Sequence, residues 1–287
     1  MTSNVKIVTD STADIPSDLL KKYDISVVPL KVIMGNETFQ DGVTLTSEEF
    51  YEKQESMDQL PTTSQPAPYE FETVYRRIVE KHKEENIKIL SLHISSKLSG
   101  TLQSAALAAE QVEDEVHVEV VDSKRASYAL GIIVVELAKM AQEGASAEAC
   151  HERLTQLLND TTVYFLVDTL EFLQKNGRIG RASALIGSLL KMKPVLGLTE
   201  EGEVCPVQKA RGKKRALHII KNALQEQYGD APVHIGVSHA GSLNSGEEML
   251  EEVSTYLNIQ TTTLTDIGAV IGSHTGRGTL AVSVTKA

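Results

Sequence analysis

The sequence predicts an α/β protein made of two α/β domains, the first with a mainly parallel sheet flanked by helices. Three observations predict it. Apolar runs of strand length alternate with helical patterns, 287 residues is long for one core, and polar segments recur where strands pass into helices. Single cores rarely grow past about 250 residues, so two domains are expected.

The first strand is read at residues 5–9, with Asp10-Ser11-Thr12 as turn and cap and residues 16–23 as helix. The same unit recurs as strand 88–93 with helix 95–112, and strand 116–121 with helix 123–143. Asp10, Ser95 or Ser96, and Asp122-Ser123 each follow a strand, where their oxygens can cap the next helix. In an open parallel sheet that edge is also where ligands bind. Residues 127–141 are apolar almost all round, which predicts a buried helix.

A helix at 147–158 leads to a strand at 163–167, which places the domains at 1–161 and 162–287. The second part continues with helix 217–228, strand 234–237, helix 246–257 and strands 260–264 and 280–284, and is expected to be the smaller domain. No period of 20 to 50 residues repeats, which excludes a solenoid.

The chain is 41% hydrophobic and 23% charged, as globular proteins are, and no low-complexity tract suggests a disordered arm. The first residues lack the basic start and apolar stretch of a signal peptide, so a cytoplasmic location is expected. No run reaches the roughly 18 apolar residues of a membrane span; even 185–198 is broken by Ser188, Lys191, Lys193 and Pro194. Cys150 and Cys205 are too few and too far apart for a zinc site.

A net charge of −11 disfavours nucleic acid, which needs a large positive footprint. The acidity is uneven: residues 171–221 carry eleven Lys and Arg against four Glu, a local +7. Such a segment fits either a solvated face or an anionic ligand or acidic partner.

No phosphate-binding glycine loop, dinucleotide fingerprint, His-Glu-x-x-His or calcium loop occurs, so ATP and metal binding lack their usual sequence basis. The polar residues permit two chemistries. Ser96 or Ser99 with His274 could form a nucleophile and base for acyl hydrolysis or transfer, although the Gly-x-Ser-x-Gly elbow is missing. Alternatively, Ser95-Ser96-Lys97-Leu98-Ser99-Gly100-Thr101 reads as a polar loop entering a helix, where hydroxyls and free N–H groups hold an anion without reacting. Binding is the preferred reading. Three further polar segments suit a ligand site: Thr62-Thr63-Ser64-Gln65-Pro66, Gly177-Arg178-Ile179-Gly180, and residues 268–279 with Gly272 and His274.

Residues 8–16, Thr63-Ser64-Gln65-Pro66, residues 95–101, Leu170-Glu171-Phe172-Leu173 with Gly177-Arg178-Ile179, Lys193-Pro194-Val195-Leu196, Lys209-Ala210-Arg211 and Ile271-Gly272-Ser273-His274 resemble, in order, the motifs of the DegV family. The resemblance implies a two-domain protein that binds a long-chain fatty acid in a ligand site between the domains, similar to the binding subunit of the bacterial fatty acid kinase. Such a subunit is no enzyme by itself and carries no cofactor. It offers the acyl carboxylate to a separate ATP-binding kinase subunit, and the acyl phosphate formed serves phospholipid synthesis. By motif, Thr63, Ser95, Ser96, Gly272 and His274 would hold the carboxylate, and Arg178 and Arg211 would meet the kinase. Three residues depart from the family pattern: Ala67 where Ser is common, Ala269 where Pro is frequent, and Arg277 in place of a Pro. Ala67 and Arg277 are expected to alter the surroundings of the head group.

Overall fold

The computed structural model describes residues 4–57, 59–83, 86–186 and 193–287. Ser188 and Lys191, counted above as breaks in an apolar run and, for Lys191, in the basic segment, lie outside the described residues.

The chain opens with β1 (Val5–Asp10), a 3-10 turn at Ser11–Ala13, α1 (Ser17–Lys22) and β2 (Ser26–Val28). It then leaves that sheet to build β3 (Lys31–Met34), β4 (Glu37–Gln40), α2 (Ser47–Glu55) and β5 (Thr62–Ser64). It returns with α3 (Pro68–Lys81), β6 (Lys88–His93), α4 (Thr101–Gln111), β7 (His117–Asp122), α5 (Tyr128–Gln142) and α6 (Ala147–Asp160). The second half runs through β8 (Thr162–Leu166), α7 (Glu171–Lys175), a 3-10 segment at Gly180–Leu185, β9 (Lys193–Leu198), β10 (Val204–Ala210) and α8 (Lys213–Tyr228). It ends with β11 (Pro232–His239), α9 (Leu243–Ser254), β12 (Asn258–Asp266), α10 (Ala269–Thr275) and β13 (Leu280–Lys286).

Three sheets result. Strands β2-β1-β6-β7 form an all-parallel sheet, and alternation along β1 explains its two covered faces. Val5 and Ile7 pack against α5 and α6, whereas Val8 faces Phe71, Tyr75 and Ile78 of α3 and Ala105 and Ala108 of α4. Strands β4-β3-β5 form a small antiparallel sheet covered by α2 and α10. Strands β10-β9-β8-β13-β11-β12 form a mixed six-stranded sheet whose β11 and β13 side chains pack on α8 and α9. Among the described residues every strand from Thr162 onward belongs to this last sheet, so the part expected to be smaller carries the sheet with most strands.

Helix α5 is packed between two sheets. Eleven of its residues are buried, because it touches β1 on one side and β11 and β13 on the other. The Tyr128 ring packs against Gly236, where a Cβ would stand 2.0 Å from it, and its hydroxyl donates to Thr263 Oγ1 at 2.8 Å. The apolar girdle at 127–141 therefore serves as core, buried between two sheets.

Several expected elements are shorter or different. The helix expected from residue 95 starts at Thr101, because Ser95 and Ser96 are engaged elsewhere by their side chains. The helix expected from 123 starts at Tyr128, since Lys124 and Ser127 both have φ of 53°, which a helix does not admit. The segment Thr62–Ser64, read as a turn-rich loop, is an edge strand, and the loop expected at 268–279 contains α10.

None of the three departures from the family pattern lines the cavity described below. Ala67 is the N-cap of α3, and its N–H donates to Glu70 Oε2 at 2.8 Å, so the missing hydroxyl concerns a helix start. Ala269 donates its N–H to Asp41 Oδ1 at 3.0 Å. Arg277 forms an ion pair with Glu55, the last residue of α2.

Candidate functional site

Between the sheets lies a cavity of about 300 Å³, walled by both halves of the chain. Its wall is mostly apolar: Leu30, Ile94, Leu98 and Ala126 from the first half; Val163, Phe165, Leu173, Leu198, Val270 and Ile271 from the second. Its polar members are Thr63, Ser64, Gln65, Ser99, Ser127, Arg178, His274, Thr275 and Thr279. A largely apolar cavity with a few convergent polar groups is the usual form of a small-molecule site.

Thr63 and His274 meet there. Thr63 sits on β5, opposite Val32 of β3, and its Oγ1 lies 2.8 Å from Nε2 of His274 in the last turn of α10. The other ring nitrogen, Nδ1, is buried without a protein partner. Burial first, and the nearby Arg178 guanidinium second, push the His274 pKa down to about 4. Near neutral pH the ring is therefore uncharged and carries one N–H. The mutual bond uses one of the two protons that hydroxyl and imidazole hold between them. Whichever tautomer is present, one donor of the pair is left for a ligand oxygen.

Behind the cavity wall stands a group of buried carboxyls. Ser127 donates to Asp14 Oδ2 at 2.5 Å, and Asp14 Oδ1 accepts the N–H of Gly268 at 3.0 Å. Burial raises the Asp14 pKa well above the ordinary range, with the Ser127 hydroxyl opposing and Asp41 adding to the rise. Burial likewise lifts Asp41 to about 6, against the Ser11 hydroxyl and the N–H groups of Ala269 and Val270. Asp14 and Asp41 thus bind the unpaired amides at the start of α10, the helix that carries His274 in its last turn.

The remaining expected residues are placed elsewhere. Ser95 is fully buried, donates to Gly202 O at 2.8 Å and accepts from Lys97 N at 3.2 Å, which ties two loops together. Ser96 is exposed and donates to Asp122 Oδ2 at 2.6 Å. Neither lines the cavity; Ser99, three residues past Ser96, does. Ser96 bonds to Asp122, Ser99 Oγ lies 2.8 Å from Thr101 Oγ1, and His274 bonds to Thr63, so neither serine is hydrogen-bonded to the histidine as the hydrolase alternative requires. Gly272 is buried on the α2 side of α10, where an added Cβ would stand 2.5 Å from the Tyr51 hydroxyl and 2.9 Å from Phe50. Its small size lets α10 approach α2.

Arg178, expected at a docking surface, is exposed and also lines the cavity, so it stands at the mouth; its Nε donates to Leu98 O at 3.1 Å. Arg211 is exposed in the bend between β10 and α8, beside Lys213 and Lys214. Ser127 went unnoticed in the sequence because a serine inside a presumed helix gives no sign of a positive φ.

Among the described residues no group of three or more His, Cys, Asp and Glu is arranged to hold a metal ion. Among them, too, no helix is long and apolar enough to cross a membrane.

Comparison with known proteins places this architecture. A DegV domain-containing protein of Halalkalibacterium halodurans is 36% identical over 284 residues, covering 98% of each chain. The solved structure of a DegV family protein from Thermus thermophilus, described by its fatty acid binding, matches with a TM-score of 0.90 at 38% identity over 100% of both chains. That of DegV from Bacillus subtilis, described as a fatty acid binding protein, gives 0.87 at 33% identity over 99% of both. The DegV family profile matches residues 4–287, and the chain belongs to the DegV family.

Proposed function

We propose that this chain binds a long-chain fatty acid, with the carboxylate on Thr63 and His274 and the acyl chain along the apolar wall of the cavity. The observation that carries the reading is the Thr63–His274 pair, which leaves a donor free in an otherwise mostly apolar cavity between the two halves. The fatty acid binding described for the similar Thermus thermophilus and Bacillus subtilis proteins supports it. Burying about 14 methylenes is worth about 11 kcal/mol at ~0.8 kcal/mol each. Association costs about 4 to 15 kcal/mol, so the head group must not add an unpaired charge.

Ser95 and Ser96 act at one remove in this reading, by fixing the 95–100 loop that carries Leu98 and Ser99 into the cavity. The protein itself does no chemistry. A separate ATP-binding kinase subunit reaches the mouth, where a carboxylate oxygen attacks the γ-phosphoryl group, ADP leaves, and an acyl phosphate forms for phospholipid synthesis. Arg178 at the mouth and Arg211 on the surface would face that subunit.

Titration of delipidated protein with palmitic acid and with methyl palmitate tests the reading. Tight binding of the acid and at least tenfold weaker binding of the ester are expected. Equal affinity for both would remove the head-group assignment, and binding of neither would remove the lipid.

A further inference from the structure

Nothing covalent keeps Thr63 and His274 in register. Thr63 belongs to a three-residue strand at the edge of the small sheet, and His274 to a seven-residue helix 211 residues later. The Asn176 side chain reaches both segments. Asn176 Nδ2 donates to Ser273 O at 2.7 Å and to Pro61 O at 3.3 Å. The first acceptor immediately precedes His274; the second lies two residues before Thr63. Ser273 O is in the last turn of α10, where helix carbonyls need a partner from outside, and a primary amide has two protons on one nitrogen for two such acceptors.

Asn176 is itself fixed. Its N–H closes α7 on Phe172 O at 3.1 Å, and its carbonyl accepts from Arg178 Nη1 at 2.8 Å. Arg178 in turn reaches Leu98 O. Asn176 does not line the cavity, so it has no direct route to a ligand. We propose that Asn176 is a positioning residue that holds the strand of Thr63 against the helix of His274 and so sets the geometry of the carboxylate anchor. This inference rests on the fatty-acid reading above.

The test uses full-length delipidated protein, titrated with palmitic acid and methyl palmitate. Asn176→Ala is expected to weaken acid binding about tenfold while ester binding stays within about twofold, because the tail wall is untouched. Asn176→Asp, equal in size but without either donor, should do at least as much, and Asn176→Gln should recover part of the loss. A Thr63→Val change should make Asn176→Ala nearly silent, since the anchor it positions is already gone.

Equal losses for acid and ester, no loss for the acid in either Asn176→Ala or Asn176→Asp, or losses that simply add to that of Thr63→Val overturn the proposal. The anchor reading then survives, provided wild type prefers the acid and Thr63→Val abolishes the preference. Wild type with no preference for the acid brings both down.

Discussion

Thr63 Oγ1 and His274 Nε2 stand 2.8 Å apart, one on an edge strand of the first half and the other on a helix of the second. The bond joins the two halves at the cavity wall, so a ligand oxygen that takes the pair's spare donor binds where they meet. Hydrogen bonds to a charged group contribute about 1.5–3 kcal/mol. Thr63→Val and His274→Ala should each weaken acid binding roughly 10- to 100-fold, with methyl ester affinity little changed, as read by calorimetric titration.

His274 falls from its ordinary pKa of 6.5 to about 4 on folding, so below pH 6.5 the unfolded chain binds more protons than the folded one. Its contribution to stability is complete above 6.5 and is lost as pH falls towards 4, on the order of 3 kcal/mol in all. Asp41 has the opposite sign. Its pKa rises from 3.8 to about 6, so its contribution is greatest below 3.8 and is lost as pH rises through 6. Urea unfolding at pH 4.5 and 6.5 should therefore show the stability of Asp41→Asn rising more with pH than wild type, and that of His274→Phe rising less.

A bound carboxylate favours the imidazolium form. The His274 ring followed by NMR should titrate near 4 without ligand and at higher pH with palmitate bound. Arg178→Ala removes the positive charge that helps depress the ring, so it too should raise the unliganded value.

Arg211 is exposed and lines no part of the cavity. Arg211→Glu should leave palmitate affinity within about twofold and, if the proposed kinase subunit docks there, impair phosphorylation of the bound acid. Unchanged phosphorylation would move the docking surface elsewhere.

Gly272→Ala places a methyl group into Phe50 and the Tyr51 hydroxyl, which itself donates to Ile267 O at 2.9 Å. Overpacking of this kind costs about 1–3 kcal/mol. Because α10 carries His274, the variant should lose both stability and acid binding, measured by thermal melting and titration.

The repeated βα units, the buried α5 and the capping role of Asp10, which closes the 3-10 turn at Ser11–Ala13, were legible because each rests on a local pattern. Asp122 closes only a turn, because the N-cap of α5 is Ser127, which makes no side-chain cap. Asp10 accepts from Thr12 N at 3.0 Å, and Asp122 from Lys124 N at 2.9 Å, both two residues on. The small sheet was not legible, since Thr62-Thr63-Ser64 is short, polar and lacks any alternation to distinguish strand from turn. Nor was the direction of the serines. Asp122 draws Ser96 outward and Gly202 holds Ser95, partners 26 and 107 residues away that no spacing within the motif reveals. Asn176 escaped for the same reason, as both of its acceptors are backbone atoms of distant segments.

The most direct test of the central claim is mass spectrometry of lipid extracted from the protein purified from bacterial cells. Wild type is expected to release free fatty acid in roughly equimolar amount, and Thr63→Val/His274→Ala to release little. Wild-type protein that releases none, and that takes up no palmitate after delipidation, would contradict the account.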